Sequence, residues 1–337
     1  MKTRIAINGF GRIGRCALRI FETRNDVEVV AINDTCDDNS ITANLLKHDS
    51  IYGEYDQAVD YDDESISIDG RQIKVLSIKD PANLPWQEIG VDIVVECTGA
   101  FNDPAKAQAH IKAGAKKVIL SAPAKGEGAT TIIIGVNDDE ITDASDIISC
   151  ASCTTNCIAP VMSVLGNNFD VKKAMMSTIH SYTSDQRLLD NSHKDPRRAR
   201  AAAINIVPTS TGASLTTAKV LPELVGKFGG SSYRVPTSAV SVCDIVVVLG
   251  QPTTAEDIKK VFRDTAKEPY YQGILGVTDD ELVSSDFIGD AHSTIVDLPL
   301  IEVVDGDLVR IVAWYDNEWG YSNRLAELTA DVAKGLK

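Results

Sequence analysis

Between residues 4 and 34 the chain reads RIAIN, GFGRIG, RCALRIF and, a few residues later, VEVVAIND. An apolar run suited to a buried strand ends at a glycine turn. Helix-compatible apolar spacing follows, and a second apolar run closes on an acid. Gly9, Gly11 and Gly14, with Phe10, Arg12 and Ile13 between them, form a G-x-G-x-x-G. Alone, that pattern is weak. With a strand before it, a helix and strand after it, and Asp34 twenty residues past Gly14, it predicts a βαβ unit that binds a dinucleotide. Gly9 makes the tight turn, Gly11 lets backbone approach a pyrophosphate, and Gly14 lets the helix pack closely on the strand. The helix N-terminus offers N–H groups to phosphate, and Asp34 accepts hydrogen bonds from the adenosine ribose. A glycine turn with no ligand is the alternative; the position of the acid argues against it.

Two more strand-like runs follow, VDIVVECTG (91–99) and KKVILSAPA (116–124). The segment between them, 103–115, reads as a helix with Pro104 near its first turn and Gly114 at its end. Alternating strands and helices predict an α/β, doubly wound parallel sheet of Rossmann type. Thr98, Gly99 and Ser121 fall at strand C-terminal ends, where such sheets hold ligands, although ordinary loop chemistry explains them equally well.

A length of 337 residues suggests two domains. The net charge of −15 argues against a general nucleic-acid binder or a protein drawn to anionic membranes. No run of about 18 apolar residues exists to span a bilayer. The first residues read as a strand, not a signal peptide. Seven cysteines, an odd number, read as reduced thiols in a cytoplasmic protein.

Three of those cysteines lie in SCASCTTNC, residues 149–157. DIIS before them is strand-like, and the apolar residues after Asn156 have helical spacing to Gly166. Cys153 therefore falls near a helix N-terminus, where the dipole favours a thiolate and is expected to lower the thiol pKa. Cys150 and Cys153 have the local spacing of a metal site, but a second Cys or His pair is missing, so no metal is expected. Cys157 lies one turn after Cys153 and is expected to be packed and inert. A nucleophilic cysteine needs a base. Among five histidines, His180 closes a strand-like run, AMMSTIH, and is the best candidate.

The segment from Arg187 to Arg200 is unusually basic for this chain. A solvated face or an ion-paired interface accounts for most of it. PTSTGA (208–213), with its hydroxyls near a helix start, and Arg234 in YRVP look like contacts for an anion, and they suggest a phosphorylated substrate.

INGFGRIGR, NDT, HDS, ECTG, AGAKKVILSAPA, ASCTTNC, HSYTSDQ, RRARAAA, PTSTGA, LPEL, RVPT and WYDNEWGYS are now all on view. Over essentially its whole length the chain resembles the phosphorylating glyceraldehyde-3-phosphate dehydrogenases. The resemblance implies Cys153 as nucleophile and His180 as base. It implies that Thr183, Arg198 and Arg234 hold the substrate's C3 phosphate, and that Ser152, Thr154, Thr211 and Gly212 hold the attacking inorganic phosphate. It implies NAD as cofactor, with Asn317 and Tyr321 at the nicotinamide. It also implies a homotetramer, in which a loop at about 184–207 reaches a neighbour's cofactor site. The expected division is a cofactor domain, 1–151, and an α+β catalytic domain with a mostly antiparallel sheet, 152–318, with a helix at 319–337 packing back on the first.

Three features bear on the details. Cys150 stands where the family usually has asparagine, and harmless packing is the favoured reading. Asn191-Ser192 replaces a hydrophobic residue and proline, which resembles members that accept NADP. Asp34 opposes a 2′-phosphate, so NAD is expected to be preferred, with NADP use left open. Two rivals remain. Erythrose-4-phosphate dehydrogenase is disfavoured because the HSYT and PTST segments are intact. A non-enzymatic NAD-binding scaffold is disfavoured because Cys153 and His180 are both present.

Overall fold

The computed structural model describes residues 2–336. Its contacts divide the chain into two units. The first runs to Ile132, resumes for Asn137–Ala151 and takes the chain from Ser322 onward; the second comprises Ile133–Val136 and Ser152–Tyr321. Measured against the expected boundaries, residues 133–136 belong with the second unit, and so do the first three residues of the last helix, Trp319–Lys334.

In the first unit nine strands form one sheet. Edge to edge they are Thr130–Thr131, Ile147–Ser149, Lys117–Leu120, Ile93–Glu96, Thr3–Asn8, Val27–Asn33, Arg71–Leu76, Ser65–Ile68 and Val59–Tyr61. Pairing is parallel except at the last two strands, which fold back antiparallel. Ile5, Ala6, Ile7, Ile93, Val94 and Val95 are wholly buried on both faces, as a covered parallel sheet requires. The glycine motif lies between the first strand and the helix Arg12–Phe21, and Asp34 directly follows the second strand.

The second unit is built on a mixed, mostly antiparallel sheet. Its order is Val207–Thr209, Phe228–Val235, Val171–Ser181, Ser241–Leu249, Leu308–Tyr315, Thr294–Asp297 and Leu275–Thr278. The strand Glu302–Val304 pairs beside Leu308–Tyr315. Alternate residues of the long strands, including Ala174, Met176, Cys243, Ile245, Val247, Val309 and Ile311, pack on the helix Cys153–Asn168 through Cys157, Ile158, Val161 and Leu165. No helix among the described residues is long and apolar enough to cross a membrane.

Candidate active site

The three glycines of the motif do three different things. Gly9 has φ +95°, and a Cβ there would sit 2.6 Å from the Thr98 backbone nitrogen. A Cβ on Gly14 would sit 2.3 Å from the Gly9 carbonyl oxygen and 3.2 Å from Ile7, so only glycine permits this helix–strand approach. Around Gly11 a Cβ would meet nothing within 4 Å, so space is left over the turn. Gly11 caps the helix without a side chain.

Beside this turn lies a groove of about 450 Å³, lined among others by Gly9, Gly11, Asp34, Lys79, Thr98 and Phe101. Asp34 Oδ2 accepts from Phe10 N at 2.5 Å and Oδ1 from Cys36 N at 3.1 Å, so the carboxylate is fixed at the groove's edge. Gly99 has φ +72°, and Ser121 N donates to the Glu96 carbonyl, which ties two strand ends together. The Arg12 guanidinium is taken by Asp49 and lies over the Tyr52 ring, so what Arg12 and Ile13 offer a ligand is the first turn of the helix. A cradle that added Cβ atoms would fill, a helix N-terminus and an acid at the second strand end suit a dinucleotide.

The second unit carries the thiol. Its chain leaves the strand Ile147–Ser149 through Ala151, wholly buried at φ +53°, a left-handed conformation unusual for alanine. Ser152 then caps the helix Cys153–Asn168, its Oγ accepting from Thr155 N at 3.1 Å. Cys153 is thus the first helical residue, and its Sγ lies 3.4 Å from His180 Nε2. His180 is placed by the strand Val171–Ser181, and the ring of Tyr315 packs edge-on against it at 6.0 Å.

The tautomer follows from the other ring nitrogen. His180 Nδ1 is 2.7 Å from the Ser181 carbonyl and 2.9 Å from Arg234 Nη1. Arg234 Nη1 also reaches that carbonyl at 3.1 Å. A carbonyl only accepts, and it is the nearer of the two groups, so Nδ1–H is assigned toward it; that tautomer leaves the Nε2 lone pair facing sulfur. Burial pushes the Cys153 thiol up to about 11, against lowering contributions from Arg234 and Thr154. This departs from the expected lowering: burial outweighs the contributions of Arg234 and Thr154. Burial, with Arg234 next, pushes His180 down to about 3. Both shifts favour the neutral forms of thiol and imidazole.

Most of the residues expected to hold anions already bond to the protein. Arg234 Nη1 approaches Thr183 Oγ1 at 3.5 Å. Arg198 donates to Thr209 Oγ1 at 2.9 Å and pairs with Asp185, so its charge is already partly met. Thr211 and Gly212 open the helix Ala213–Val220, with Thr211 Oγ1 accepting from Ala213 N. The Thr154 hydroxyl is taken by Tyr315 OH at 3.0 Å, and Ser152 Oγ lies 2.8 Å from Thr155 Oγ1. Asn317 Oδ1 accepts from Ser241 Oγ at 3.0 Å, and Ser241 Oγ in turn accepts from Ser181 N, which links Asn317 to the strand of His180. Tyr321 is buried in the first turn of the last helix.

Sequence reasoning missed Ser241, Tyr315 and Gln186, whose Oε1 accepts from Thr183 N at 3.3 Å. Gln186 stands within the quoted HSYTSDQ segment and Tyr315 within WYDNEWGYS; nothing around Ser241 marks it before the strands are paired. Cys157 and Cys150 are wholly buried thiols. Arg198 with Asp185 and Arg200 with Asp190 are ion-paired, as expected of a basic run in an acidic chain.

A dinucleotide groove and a thiol–imidazole pair are the equipment of a cofactor-dependent oxidoreductase. Residues 152–317 match the family described as glyceraldehyde 3-phosphate dehydrogenase, C-terminal domain, and residues 3–104 match its NAD binding domain. The chain is 50% identical over 338 residues to a glyceraldehyde-3-phosphate dehydrogenase of Streptomyces coelicolor, covering all of both proteins. It is 51% identical to glyceraldehyde-3-phosphate dehydrogenase 2 of Synechocystis sp., over 99% of this chain and 100% of that one. It is also 51% identical to a chloroplastic glyceraldehyde-3-phosphate dehydrogenase of Arabidopsis thaliana, over 100% of this chain and 85% of the other. The chain belongs to the glyceraldehyde-3-phosphate dehydrogenase family, and its cofactor is NAD.

Proposed function

We propose that the protein oxidises glyceraldehyde 3-phosphate, with NAD and inorganic phosphate, to 1,3-bisphosphoglycerate. The observation that carries this reading is Cys153 Sγ at 3.4 Å from His180 Nε2, at a helix N-terminus. Sulfur bonds to the aldehyde carbon as its proton passes through His180 to the carbonyl oxygen, giving a thiohemiacetal and leaving His180 neutral. His180 then takes the thiohemiacetal hydroxyl proton while a hydride leaves the same carbon. NAD, when bound, supplies the acceptor for that hydride. The Cys153 N–H, at the start of the helix, is the proposed donor to the oxyanion that develops on that carbon. The product is a thioester on Cys153. A phosphate oxygen attacks its carbonyl, and the Cys153 thiolate leaves.

Arg234, Thr183 and Arg198 are the proposed holders of the C3 phosphate; Ser152, Thr154, Thr211 and Gly212 those of inorganic phosphate. Of the latter, Thr154 can donate to phosphate while its oxygen accepts from Tyr315 OH. Gly9, Gly11, Gly14, Asp34, Thr98, Gly99 and Ser121 are proposed to hold NAD, with Asn317 and Tyr321 toward the nicotinamide. NADP remains a second, poorer cofactor in this reading. Met175, Leu188, Leu189, Ile204 and Ile206, all strongly exposed, support a homotetramer whose 184–207 loop serves a neighbour. Seven thiols and no disulfide support a cytoplasmic location. The test is formation of NADH from glyceraldehyde 3-phosphate, strictly dependent on phosphate. Turnover without phosphate, or none at all, would overturn the reading.

A further inference from the structure

Asn33, Asn8 and Glu96 are cross-strand neighbours at the C-terminal ends of three adjacent parallel strands. Because they share one register row, their side chains stand on one face of the sheet. All three are buried, Glu96 wholly so. Buried glutamates normally have a cationic partner. Among the described residues neither Lys nor Arg bonds this one, and its partners there are four hydrogen-bond donors. Thr98 donates to Oε1 twice, from N at 2.7 Å and from its hydroxyl. Asn8 Nδ2 donates to Oε2 at 2.5 Å, and His110 Nε2 lies 3.2 Å from the same oxygen. Four donors fill the acceptor capacity of a carboxylate.

The row has a fixed polarity. Trp86 Nε1 only donates, and it lies 3.0 Å from His110 Nδ1, so the His110 proton is on Nε2, toward Glu96. Asn8 gives its amide N–H to Glu96, which turns its oxygen toward Asn33 Nδ2 at 2.7 Å. Asn33 then presents its own oxygen to Ile78 N at 2.9 Å and its amide to the Ile78 carbonyl at 3.0 Å. Glu96 therefore sets the orientation of every group out to Ile78.

Both ends of this chain of bonds are walls of the cofactor groove. Ile78 and Lys79 line one side; Thr98, pressed against Gly9, lines the other. We propose that Glu96 is a positioning residue for NAD: through Asn8 and Asn33 it holds the Ile78–Lys79 wall, and through Thr98 it holds the loop against Gly9. The inference rests on the reading of this groove as the NAD site. For stability alone an apolar row would serve nearly as well, since replacing both members of a buried polar pair by apolar groups costs little. What an apolar row cannot do is fix two loops at one spacing.

Calorimetric titration of the full-length protein with NAD tests this. Glu96→Gln places an amide N–H among donors, so the Kd for NAD rises about tenfold, the worth of one or two hydrogen bonds. Asn33→Ala cuts only the link to Ile78 and raises the Kd by about fivefold; it carries the test if Glu96→Gln does not fold. His110→Phe removes a donor on the side away from the groove, so Tm falls while the Kd changes by less than about twofold. Alkylation of Cys153 keeps its wild-type rate in all three. Wild-type affinity in Glu96→Gln, or in Asn33→Ala, overturns the proposal. So does a Kd that rises in His110→Phe as far as in Glu96→Gln, because a merely structural network loses binding wherever it is cut. A wild-type protein that binds no NAD sinks the underlying reading, and this inference with it, before any variant is compared.

Discussion

Cys153 Sγ and His180 Nε2 face each other at 3.4 Å, and the Ser181 carbonyl, 2.7 Å from Nδ1, keeps the sulfur-facing nitrogen unprotonated. Burial pushes the thiol up and the imidazole down, so forming the thiolate calls for handing its proton to this imidazole. His180→Asn should then lower kcat by about 10²- to 10⁴-fold, the usual range for a lost general base. The same change should slow alkylation of Cys153 by iodoacetamide near neutral pH. Steady-state kinetics and peptide mapping of the labelled protein check both. An alkylation rate indifferent to His180 would separate the thiol from its base.

Asp34 takes two backbone N–H groups, from Phe10 and Cys36, and so cannot swing aside without leaving them unsatisfied. A 2′-phosphate would meet a carboxylate held in place. The expected kcat/KM with NAD exceeds that with NADP by at least about 30-fold, the order of a charge repulsion at close range. Asp34→Ser should narrow the ratio mainly by lowering the KM for NADP. Comparable wild-type rates would mean that the exposed pair Asn191-Ser192, and not Asp34, sets the preference.

The cofactor half was legible in the sequence because its determinants are local. Gly9, Gly14 and Asp34 lie within one βαβ unit, and spacing alone assigned the turn and the close approach that the backbone displays. The strand of His180 and the helix of Cys153 were also readable as elements. Their meeting was not, since 27 residues separate them and only the packing of the helix on the sheet brings them together. The thiol's pKa was misjudged for a related reason. A helix N-terminus is visible in sequence, whereas the burial that opposes it is tertiary. Glu96, Asn8 and Asn33 were invisible as a group because their row exists only once three strands are in register. The resemblance supplied the phosphate contacts; it did not show that Arg198 and Thr154 are already engaged by Asp185 and Tyr315.

Arg234 reaches His180, the Ser181 carbonyl and Thr183 from one guanidinium nitrogen. A phosphate drawn to this arginine must also touch the base's surroundings. Arg234→Leu should raise the KM for glyceraldehyde 3-phosphate and lower kcat/KM by at least about 100-fold, as expected for a lost charge-assisted contact. Arg234→Lys should restore little, because a point charge cannot reproduce the planar set of donors. Non-phosphorylated glyceraldehyde provides the control: its kcat/KM should change far less. Equal losses on both aldehydes would show that Arg234 acts on the base alone.

Asp49 holds Arg12 at the cofactor turn, and the backbone N–H groups of Ile51 and Tyr52 donate to its other oxygen at 2.9 and 3.1 Å. Burial alone would raise this carboxyl; the two N–H groups and Arg12 overcome it and hold the pKa below the usual range. A carboxyl depressed on folding stabilises the protein above its unfolded pKa of about 4, and that contribution fades as pH falls through the folded value. Asp49→Asn should therefore lower Tm at pH 7 by roughly 2–6 °C, given a charge-assisted hydrogen bond and the size of the unit. Below about pH 4 the gap between variant and wild type should narrow, and it should close once pH has fallen through the depressed folded value, where wild-type Asp49 is neutral as well. Melting both proteins across this range separates the ion pair from simple packing, since a lost packing contact would leave the gap independent of pH.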